Sequence, residues 1–210
     1  MIITISRMFG SGGSDVAARV ARTLGWSLLD NAVVDEVAER LGVSRAEVSS
    51  LEERVPSLAE RIATSLAMST PEFVVPVSDA PMTETAEVRI VDATRRVMEQ
   101  ATEQGNAVLV GRGAQALLAD RPDALHVFCY APKKFLVEYA IAHRGINPAN
   151  AEHEVDKVNR QREQYVKRYW GRNWRALENY HLCIDTGRLG IEKAADLVVT
   201  VARERFSLPS

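Results

Sequence analysis

MIITISRMFGSGGS, residues 1–14, is the stretch that decides the fold. The apolar run over residues 1–5 predicts a buried strand, and the glycine-rich residues after it open an amphipathic helix that begins near Asp15. A strand feeding a glycine-rich turn at a helix N-terminus is typical of a phosphate-binding site, because backbone N–H groups there converge on an anion. We expect the phosphate-binding residues to be Gly10, Ser11, Gly12, Gly13 and Ser14.

The same stretch departs from the usual phosphate-loop consensus, G-x-x-x-x-G-K-[ST]. Arg7 stands in place of the first glycine, and Gly13 stands in place of the lysine. Ser14 keeps the position whose hydroxyl binds Mg²⁺. Arg7 is the first candidate to replace the missing cation, since a guanidinium binds phosphate through two hydrogen bonds. The alternative, that Arg7 pairs with a surface carboxylate, stays open.

Composition favours one globular domain over residues 1–210, with a formal charge of −2 and an isoelectric point near 6.1. This charge gives no overall attraction to nucleic acid or to an anionic membrane. No apolar run approaches the roughly 18 residues of a membrane span, and we predict a cytoplasmic protein. The four histidines lack metal-ligand spacing, and Cys129 and Cys183 both lie in apolar runs, where we expect buried, unreactive thiols.

Five short apolar runs alternate with helical patterns, which predicts an α/β fold with a parallel sheet. The predicted strands are residues 1–5, 26–29, 107–110, 125–130 and 180–184. Predicted helices include residues 32–41, 85–104 and 191–206, and a further helix that starts near Pro148 and runs to about Tyr169. The proline-rich segment 69–82 is predicted to be a loop or lid.

A helical seam follows Gly42. Ser44 and Glu47 form a predicted capping box, and apolar residues then recur at steps of three and four over residues 48–62. This spacing fits a helical hairpin, a homodimer surface through residues 44–68, or plain core packing, and the pattern does not choose among them.

Three further segments offer side chains for a site. Asp30 and Arg112 follow predicted strands, and the carboxyl ends of parallel strands are where α/β sheets bind ligands. Asp30 is equally compatible with a helix N-cap. Residues 157–175 carry seven Lys or Arg and one acid, a local charge of +6. By helical spacing we expect Arg160 to point into a cleft with its neighbours Lys157 and Lys167, while Arg162 and Arg168 angle away.

With these segments assembled, the chain resembles the cytidylate kinase-like family, a branch of the P-loop nucleoside-monophosphate kinases whose loop has the G-S-G-G form without lysine. The resemblance spans nearly the whole chain except residues 43–84. The segments that carry it are Ile5-Ser6-Arg7 with Gly10-Ser11-Gly12-Gly13, Leu28-Leu29-Asp30, Val110-Gly111-Arg112-Gly113-Ala114, Arg160-Gln161-Arg162 with Tyr165, and Asn179-Tyr180-His181-Leu182 through Ile184-Asp185-Thr186 to Leu189.

The resemblance implies a three-layer P-loop NTPase fold with a five-stranded sheet in the order 2-3-1-4-5. It implies an ATP and Mg²⁺ site at the glycine turn, a helical insertion over residues 31–104 that binds the acceptor, and an arginine-rich lid over residues 145–175. One departure stands out: the family pattern leads us to expect an arginine near Leu136, and here Lys133 and Lys134 are the nearest cations.

These residues lead us to expect ATP- and Mg²⁺-dependent phosphoryl transfer to a small acceptor, with a pyrimidine nucleoside monophosphate as first choice. Arg7, Arg160 and Arg162 would carry catalytic charge, Asp30 and Arg112 would bind the acceptor, and Ser14 would hold the metal. Two alternatives stay open. One is a dimeric nucleotide sensor without transfer activity, and the other is a single-stranded nucleic-acid binder through residues 157–175, which the acidic remainder of the chain disfavours.

Overall fold

The structure is a computed structural model, and it describes residues 1–53 and 84–209. Within these residues five parallel strands form one sheet, in the order β2-β3-β1-β4-β5. The strands are β1 Ile2–Arg7, β2 Ser27–Leu29, β3 Ala107–Val110, β4 Ala124–Tyr130 and β5 Leu182–Asp185. The predicted fold class and strand order are therefore confirmed.

Helices cover both faces of this sheet. They are α1 Gly13–Leu24, α2 Asn31–Leu41, α3 Arg45–Glu53, α4 Glu84–Glu103, α5 Ala114–Leu117, α6 Lys133–Arg144, α7 Ala151–Trp170, α8 Thr186–Leu189 and α9 Ile191–Phe206. Short 3-10 turns lie at Pro148–Asn150 and Leu177–Asn179.

Alternation along β1 builds two separate apolar layers. Ile3 and Ile5 pack with buried residues of α1 and α9 on one face, and Ile2 packs with buried residues of α2, α4 and α7 on the other. Successive strand side chains point to opposite faces, so a strand that is apolar at nearly every position is covered on both sides. This is the physical reason that the continuous apolar runs located the central strands β1, β3 and β4.

The capping box at the start of α3 is confirmed. The Ser44 backbone N–H donates to Glu47 Oε2 at 2.7 Å, and the Glu47 N–H donates to Ser44 Oγ at 3.2 Å. Hydrogen bonds from Ser44 lower the pKa of the Glu47 carboxyl. Val48, the first member of the predicted seam, is buried in the core of the same molecule. Residues 54–68 of the predicted dimer surface and the predicted loop at 69–82 lie outside the described residues.

Helix α7 dominates the region predicted to be a lid. One face of this helix is buried, and it comprises Ala151, Val155, Val158, Asn159, Arg162, Tyr165 and Val166. The Lys133 ammonium forms ion pairs with Glu152 at 3.5 Å and with Asp156, so the start of α6 is tied to α7. The hydrogen bond from Lys133 lowers the pKa of the Asp156 carboxyl. In this structure α7 is thus packed against the body of the protein.

A buried acid joins α7 to α4. Glu87 is 3% exposed, and its Oε2 lies 3.1 Å from an Arg168 guanidinium nitrogen and accepts a hydrogen bond from the Tyr169 hydroxyl at 2.8 Å. A buried carboxylate is tolerated when it is paired and hydrogen-bonded in this way. Arg168 therefore belongs to the interface between two helices.

The two cysteines differ from each other. Cys129 is buried as expected, and burial raises the pKa of its thiol to about 12, so it stays protonated at neutral pH. The expectation for Cys183 is wrong, because this residue is exposed. It lies in β5, which is an edge of the sheet within the described residues and lacks a covering strand on one side.

Candidate active site

The carboxyl ends of three neighbouring strands bring three of the predicted site residues together. Ile5 of β1 pairs with Val110 of β3, and Leu29 of β2 pairs with Leu109 of β3. Arg7, Arg112 and Asp30 each follow these pairs by one or two residues, so they lie at the same edge of the sheet. All three line one cavity. An Arg7 guanidinium nitrogen lies 3.9 Å from Asp30 Oδ1.

The cavity has a volume of about 330 Å³. Its described lining is Arg7, Met8, Phe9, Gly10, Gly12, Gly13, Ser14, Asp30, Ser49, Arg112, Arg144 and Arg162. Among these lining residues four arginines face a single carboxylate. Confined positive charge with low-dielectric walls favours an anionic ligand, and the guanidinium group suits phosphate in particular.

Residues 7–14, which we call the glycine loop, present open amides to this cavity. Among the described residues, no protein group accepts a hydrogen bond from the backbone N–H groups of Gly10, Gly12, Gly13 and Ser14. Gly12 adopts a left-handed conformation with φ 70° and caps α1, so the last three of these amides belong to the cap and first turn of a helix. Such amides carry the positive end of the helix dipole.

Other parts of the chain hold the glycine loop in shape. The Met8 N–H donates to the Cys129 carbonyl at 2.9 Å, and the Phe9 N–H donates to Asn159 Oδ1 at 2.7 Å. The buried Thr186 hydroxyl shares its single proton between the Ser11 carbonyl at 2.7 Å and the Tyr130 carbonyl at 3.0 Å. These partners come from β4, α7 and α8, so the loop is fixed by elements distant in sequence.

Ser11 differs from its sequence-based prediction. Its hydroxyl donates to the Met8 carbonyl at 2.8 Å and its amide approaches the same carbonyl at 3.2 Å. The residue is fully buried and is absent from the cavity lining. Ser11 therefore closes the loop on itself, because both of its donors are used inside the protein.

Asp30 begins α2 without capping it. The residue occupies the N-cap position, but its side chain makes no capping hydrogen bond. Its carboxylate faces Arg7 and the cavity instead. Of the two readings that the sequence left open, the structure favours a cavity residue.

Arg112 lies in a strained turn at the end of β3. Gly111, Arg112 and Gly113 have φ values of 69°, 53° and 76°. A residue with a side chain adopts this left-handed conformation rarely, at a cost of roughly 1–2 kcal/mol. Gly113 packs so closely against the indole of Trp170 that a Cβ at this position would overlap the ring. Trp170 thereby helps to keep Arg112, which is 7% exposed, at the cavity.

The predicted orientations of the α7 arginines are wrong. Arg162 is 6% exposed, lines the cavity and donates to the Arg7 carbonyl at 3.1 Å. Arg160 is exposed and is not among the cavity-lining residues. The buried face of α7 runs through Val158, Arg162 and Val166 at steps of four. Because this face packs inward, it takes Arg162 with it and turns Arg160 to solvent.

Most of the remaining cations at 157–175 have acidic or polar partners. Lys157 pairs with Glu154 at 3.3 Å, and Arg175 pairs with Glu163 at 3.4 Å. An Arg172 guanidinium nitrogen donates to Asn179 Oδ1 at 3.2 Å. Together with Arg168, which pairs with Glu87, three of the seven cations of the segment therefore have an acidic partner among the described residues.

The aromatic residues of the same segment lie in the core or pack against it. Tyr165 and Trp174 are buried, and Trp174 meets Phe128 edge-on with ring centroids 5.4 Å apart. The Tyr169 hydroxyl is bonded to Glu87. Base stacking on single-stranded nucleic acid requires exposed ring faces, and these rings do not offer a continuous one.

Arg144 is a cavity residue that sequence reasoning missed. It ends α6, and its guanidinium lies 3.9 Å from Asp15 Oδ2, which also accepts a hydrogen bond from the Tyr139 hydroxyl at 2.5 Å. Burial and the bond to Asp15 raise the pKa of Tyr139 to about 12. No local pattern marks Arg144, because its place at the cavity depends on how α6 packs and not on its neighbours in sequence.

The donors in the cavity suit Mg²⁺, which prefers oxygen ligands and keeps several non-protein ligands. The Ser14 hydroxyl and the Asp30 carboxylate both line the cavity. Within residues 1–53 and 84–209, no group of three or more His, Cys, Asp or Glu is arranged to hold a metal. These residues fit a metal shared with a phosphate ligand.

The sequence profile described as the cytidylate kinase-like family matches residues 2–188. The chain belongs to this family. The predicted resemblance is confirmed over almost the whole sequence, and the chain is therefore a member of a kinase-like family.

Solved structures share the fold. A crystal structure of an uncharacterized protein from Eubacterium ventriosum aligns with a TM-score of 0.68 and 20% identity, covering 96% of this chain and 98% of that one. Shikimate kinase from Acinetobacter baumannii, in complex with shikimate, aligns with a TM-score of 0.52, 16% identity and coverage of 98% and 93%. Deoxyadenosine kinase from M. mycoides, with dCMP and dCDP bound, aligns with a TM-score of 0.50 and 12% identity, covering 97% of this chain and 100% of that one. At these identities the likeness concerns the fold.

One curated relative matches over a shorter segment. Uronate isomerase from Corynebacterium glutamicum is 29% identical over 115 residues, which is 55% of this chain. The chain spans about a fifth, 22%, of the length of that relative. In the described part of the chain, no helix combines the length and apolar character needed to cross a bilayer.

Proposed function

We propose that this protein transfers the γ-phosphoryl group of ATP to a small acceptor in the presence of Mg²⁺, and that the acceptor is a pyrimidine nucleoside monophosphate. Membership of a kinase-like family supports the reaction class. The observation that carries the proposal is the set of open amides at Gly10, Gly12, Gly13 and Ser14, which border a cavity lined by four arginines. The cytoplasmic location expected from the sequence remains part of this proposal.

The open amides are the proposed binding site for the triphosphate. Their N–H groups, together with the helix dipole of α1, favour an anion at this point. The Ser14 hydroxyl and the Asp30 carboxylate are the side chains that would hold Mg²⁺, and a bound Mg²⁺ would neutralise part of the phosphate charge. Asp30 and Arg112 are also the proposed contacts of the acceptor, because they lie at the adjacent ends of β2 and β3.

Catalysis of phosphoryl transfer depends mainly on positioning the two substrates and on stabilising the charge of the migrating phosphoryl group. The bond from the acceptor oxygen to the γ-phosphorus forms while the β–γ bridging P–O bond breaks, and ADP leaves with the electron pair of that bond. Arg7 and Arg162 line the cavity and are the proposed groups that stabilise charge on the migrating phosphoryl. Arg160 is exposed and is not a lining residue, so the proposal gives this role to Arg7 and Arg162.

Nucleotide binding and turnover test this proposal together. Unfolding temperatures are measured with ATP, ADP and Mg²⁺, and turnover is measured with CMP, dCMP and UMP. We expect Mg²⁺-ATP to raise the unfolding temperature, because a ligand of the folded state stabilises it, and we expect ADP release with at least one of the three monophosphates. Absence of ATP and ADP binding overturns the proposal. Binding without turnover of any acceptor overturns the transfer step and favours the nucleotide sensor.

A matched pair of arginines sharpens the test. Arg7→Met removes the guanidinium while keeping a stem of similar length, whereas Arg19→Met removes an arginine that pairs with Glu192 on the surface of α1. We expect Arg7→Met to lower kcat far more than it weakens ATP binding, since its charge is needed most in the transition state. Arg19→Met should match the wild type. An unchanged kcat in Arg7→Met removes Arg7 from the mechanism.

A further inference from the structure

Asn159 is a buried amide side chain in the middle of a helix. It is 3% exposed, and its Oδ1 accepts the backbone N–H of Phe9 at 2.7 Å, across 150 residues of sequence. An amide is seldom buried unless its hydrogen bonds are made. The partner in this case is a backbone group of the glycine loop, so the buried Asn159 side chain is hydrogen-bonded to that loop.

A second contact lies one turn further along α7. The Arg162 guanidinium donates to the Arg7 carbonyl at 3.1 Å, and its Cζ lies 5.6 Å from the centre of the Phe9 ring. Asn159 therefore accepts a hydrogen bond from the backbone N–H of Phe9, and Arg162 donates one to the backbone carbonyl of Arg7. The backbone of residues 7–9 is held from α7 through both kinds of polar group.

The amides of the glycine loop fall into two groups, and the Phe9 amide that binds Asn159 belongs to the first. The Met8, Phe9 and Ser11 amides are directed to protein acceptors, namely the Cys129 carbonyl, Asn159 Oδ1 and the Met8 carbonyl. The amides of Gly10, Gly12, Gly13 and Ser14 have no acceptor among the described residues. Gly10, directly after Phe9, has φ 82° and lies against the Leu136 carbonyl. Rotation of the Phe9 peptide would displace Gly10 from this position.

We propose that Asn159 is a positioning residue for phosphate binding: by holding the Phe9 N–H it orients the following loop amides toward the triphosphate. This inference rests on the proposed nucleotide site. Asn159 is not among the residues that line the cavity, so it acts through the backbone of the loop and not by contact with the ligand. The sequence signal for this role is a polar residue on the apolar face of α7, between Val155 and Val166.

Asn159→Leu tests the proposal, because leucine has a similar volume and no acceptor. We expect the dissociation constant for Mg²⁺-ATP to rise about 10-fold, as follows from losing a hydrogen bond at a buried amide. We also expect the Phe9 amide to lose protection from hydrogen exchange, followed by NMR. Val158→Ala is the matched control on the same helix, since it removes buried apolar volume. It should lower the free energy of unfolding while leaving ATP affinity and Phe9 protection unchanged.

Each remaining outcome is decisive. An unchanged ATP affinity in Asn159→Leu overturns the positioning role, and so does weakened affinity with an unchanged Phe9 amide. If Asn159→Leu does not fold, Asn159→Ala is subject to the same two measurements. Failure of the wild type itself to bind ATP or ADP overturns the proposed function and this inference with it, whereas binding by the wild type and equally by both variants overturns the inference alone.

Discussion

Gly13 lies directly against the side chain of Arg7. A Cβ built on Gly13 would lie 2.5 Å from the Cβ of Arg7 and 3.2 Å from its Cγ. Two long side chains therefore cannot occupy positions 7 and 13 together. The usual phosphate loop has glycine at the first of these positions and lysine at the second, and this chain has the reverse arrangement. The Arg7 side chain thus occupies the space beside the open amides that a lysine at position 13 would need.

This relationship predicts a strong coupling between two substitutions. Arg7→Gly should lower kcat by about 100-fold or more, because one charge-stabilising group is lost. Gly13→Lys alone should be inactive and lose about 1–3 kcal/mol of stability through overpacking. The double variant recreates the loop G-M-F-G-S-G-K-S and should exceed either single variant in kcat by at least about 10-fold, the size of a coupling of ~1.4 kcal/mol. Steady-state turnover and urea unfolding provide the measurements, and strictly additive effects would contradict the prediction.

Stability should depend on pH through His126. Its Nδ1 lies 2.8 Å from Thr4 Oγ1, and its ring stacks on His181 with centroids 5.1 Å apart. Burial, and then the nearby His181, lowers the pKa of His126 from 6.5 to about 4. The folded protein therefore binds fewer protons than the unfolded chain between these values. The neutral His126 ring therefore adds roughly 3 kcal/mol to the free energy of unfolding above pH 6.5. This contribution is lost as the pH falls to 4.

The measurement is urea unfolding at pH 7 and at pH 4.5. His126→Asn keeps a polar atom near the position of Nδ1 but does not titrate in this range, so it should lose less stability on acidification than the wild type. His153→Asn, at an exposed histidine of α7, is the control and should follow the wild type. Equal pH dependence in His126→Asn and the wild type would sink the assignment.

Thr186→Val should weaken nucleotide binding from a distance. Valine keeps the shape but leaves the buried carbonyl of Ser11 without its 2.7 Å hydrogen bond. A cost of about 1–3 kcal/mol in the free energy of unfolding is expected, together with a lower affinity for ATP, because the loop is no longer held at Ser11. Thr200→Val, in an exposed part of α9 where the hydroxyl bonds the Asp196 carbonyl, should change neither quantity by a comparable amount.

Gly113→Ala should be far more costly than an alanine at another left-handed glycine. Gly145, with φ 66°, has no atom within 4 Å of its hypothetical Cβ, so Gly145→Ala measures conformational strain alone, roughly 1 kcal/mol. Gly113, with φ 76°, adds an overlap with the Trp170 indole, and overpacking costs another ~1–3 kcal/mol. Urea unfolding gives both values. Equal losses in the two variants would show that Trp170 moves aside freely.

The fold followed from the sequence because its signals are local. Continuous apolar runs located all five strands, and the Ser44–Glu47 box located the start of α3. The end of β3 before Gly111 likewise placed Arg112 at the cavity. Each of these features depends on residues close together in the chain, for which periodicity and capping rules apply.

The residues that hold the site in shape could not be predicted from the sequence, because their contacts join segments that are distant along the chain. Asn159, Arg144 and Thr186 are far from the glycine loop in sequence, although they lie beside it in the fold. The spacing of residues within one helix also does not tell which face of that helix packs inward. Arg160 and Arg162 illustrate this, since the helical spacing of the cations directed Arg160 into the cleft, and the structure places Arg162 there. Weighing the apolar stripe through Val158 and Val166 above the charges would have selected Arg162.

The contacts that shape the glycine loop span most of the chain, and this has a consequence for synthesis. Residues 7–14 leave the ribosome well before their partners Cys129, Asn159 and Thr186, which follow after more than a hundred residues. A nascent chain that ends before Thr186 lacks part of the framework that orients the amides, and contacts at such separations form late. Protection of the growing polypeptide by ATP against proteases should therefore appear only after Thr186 has been translated.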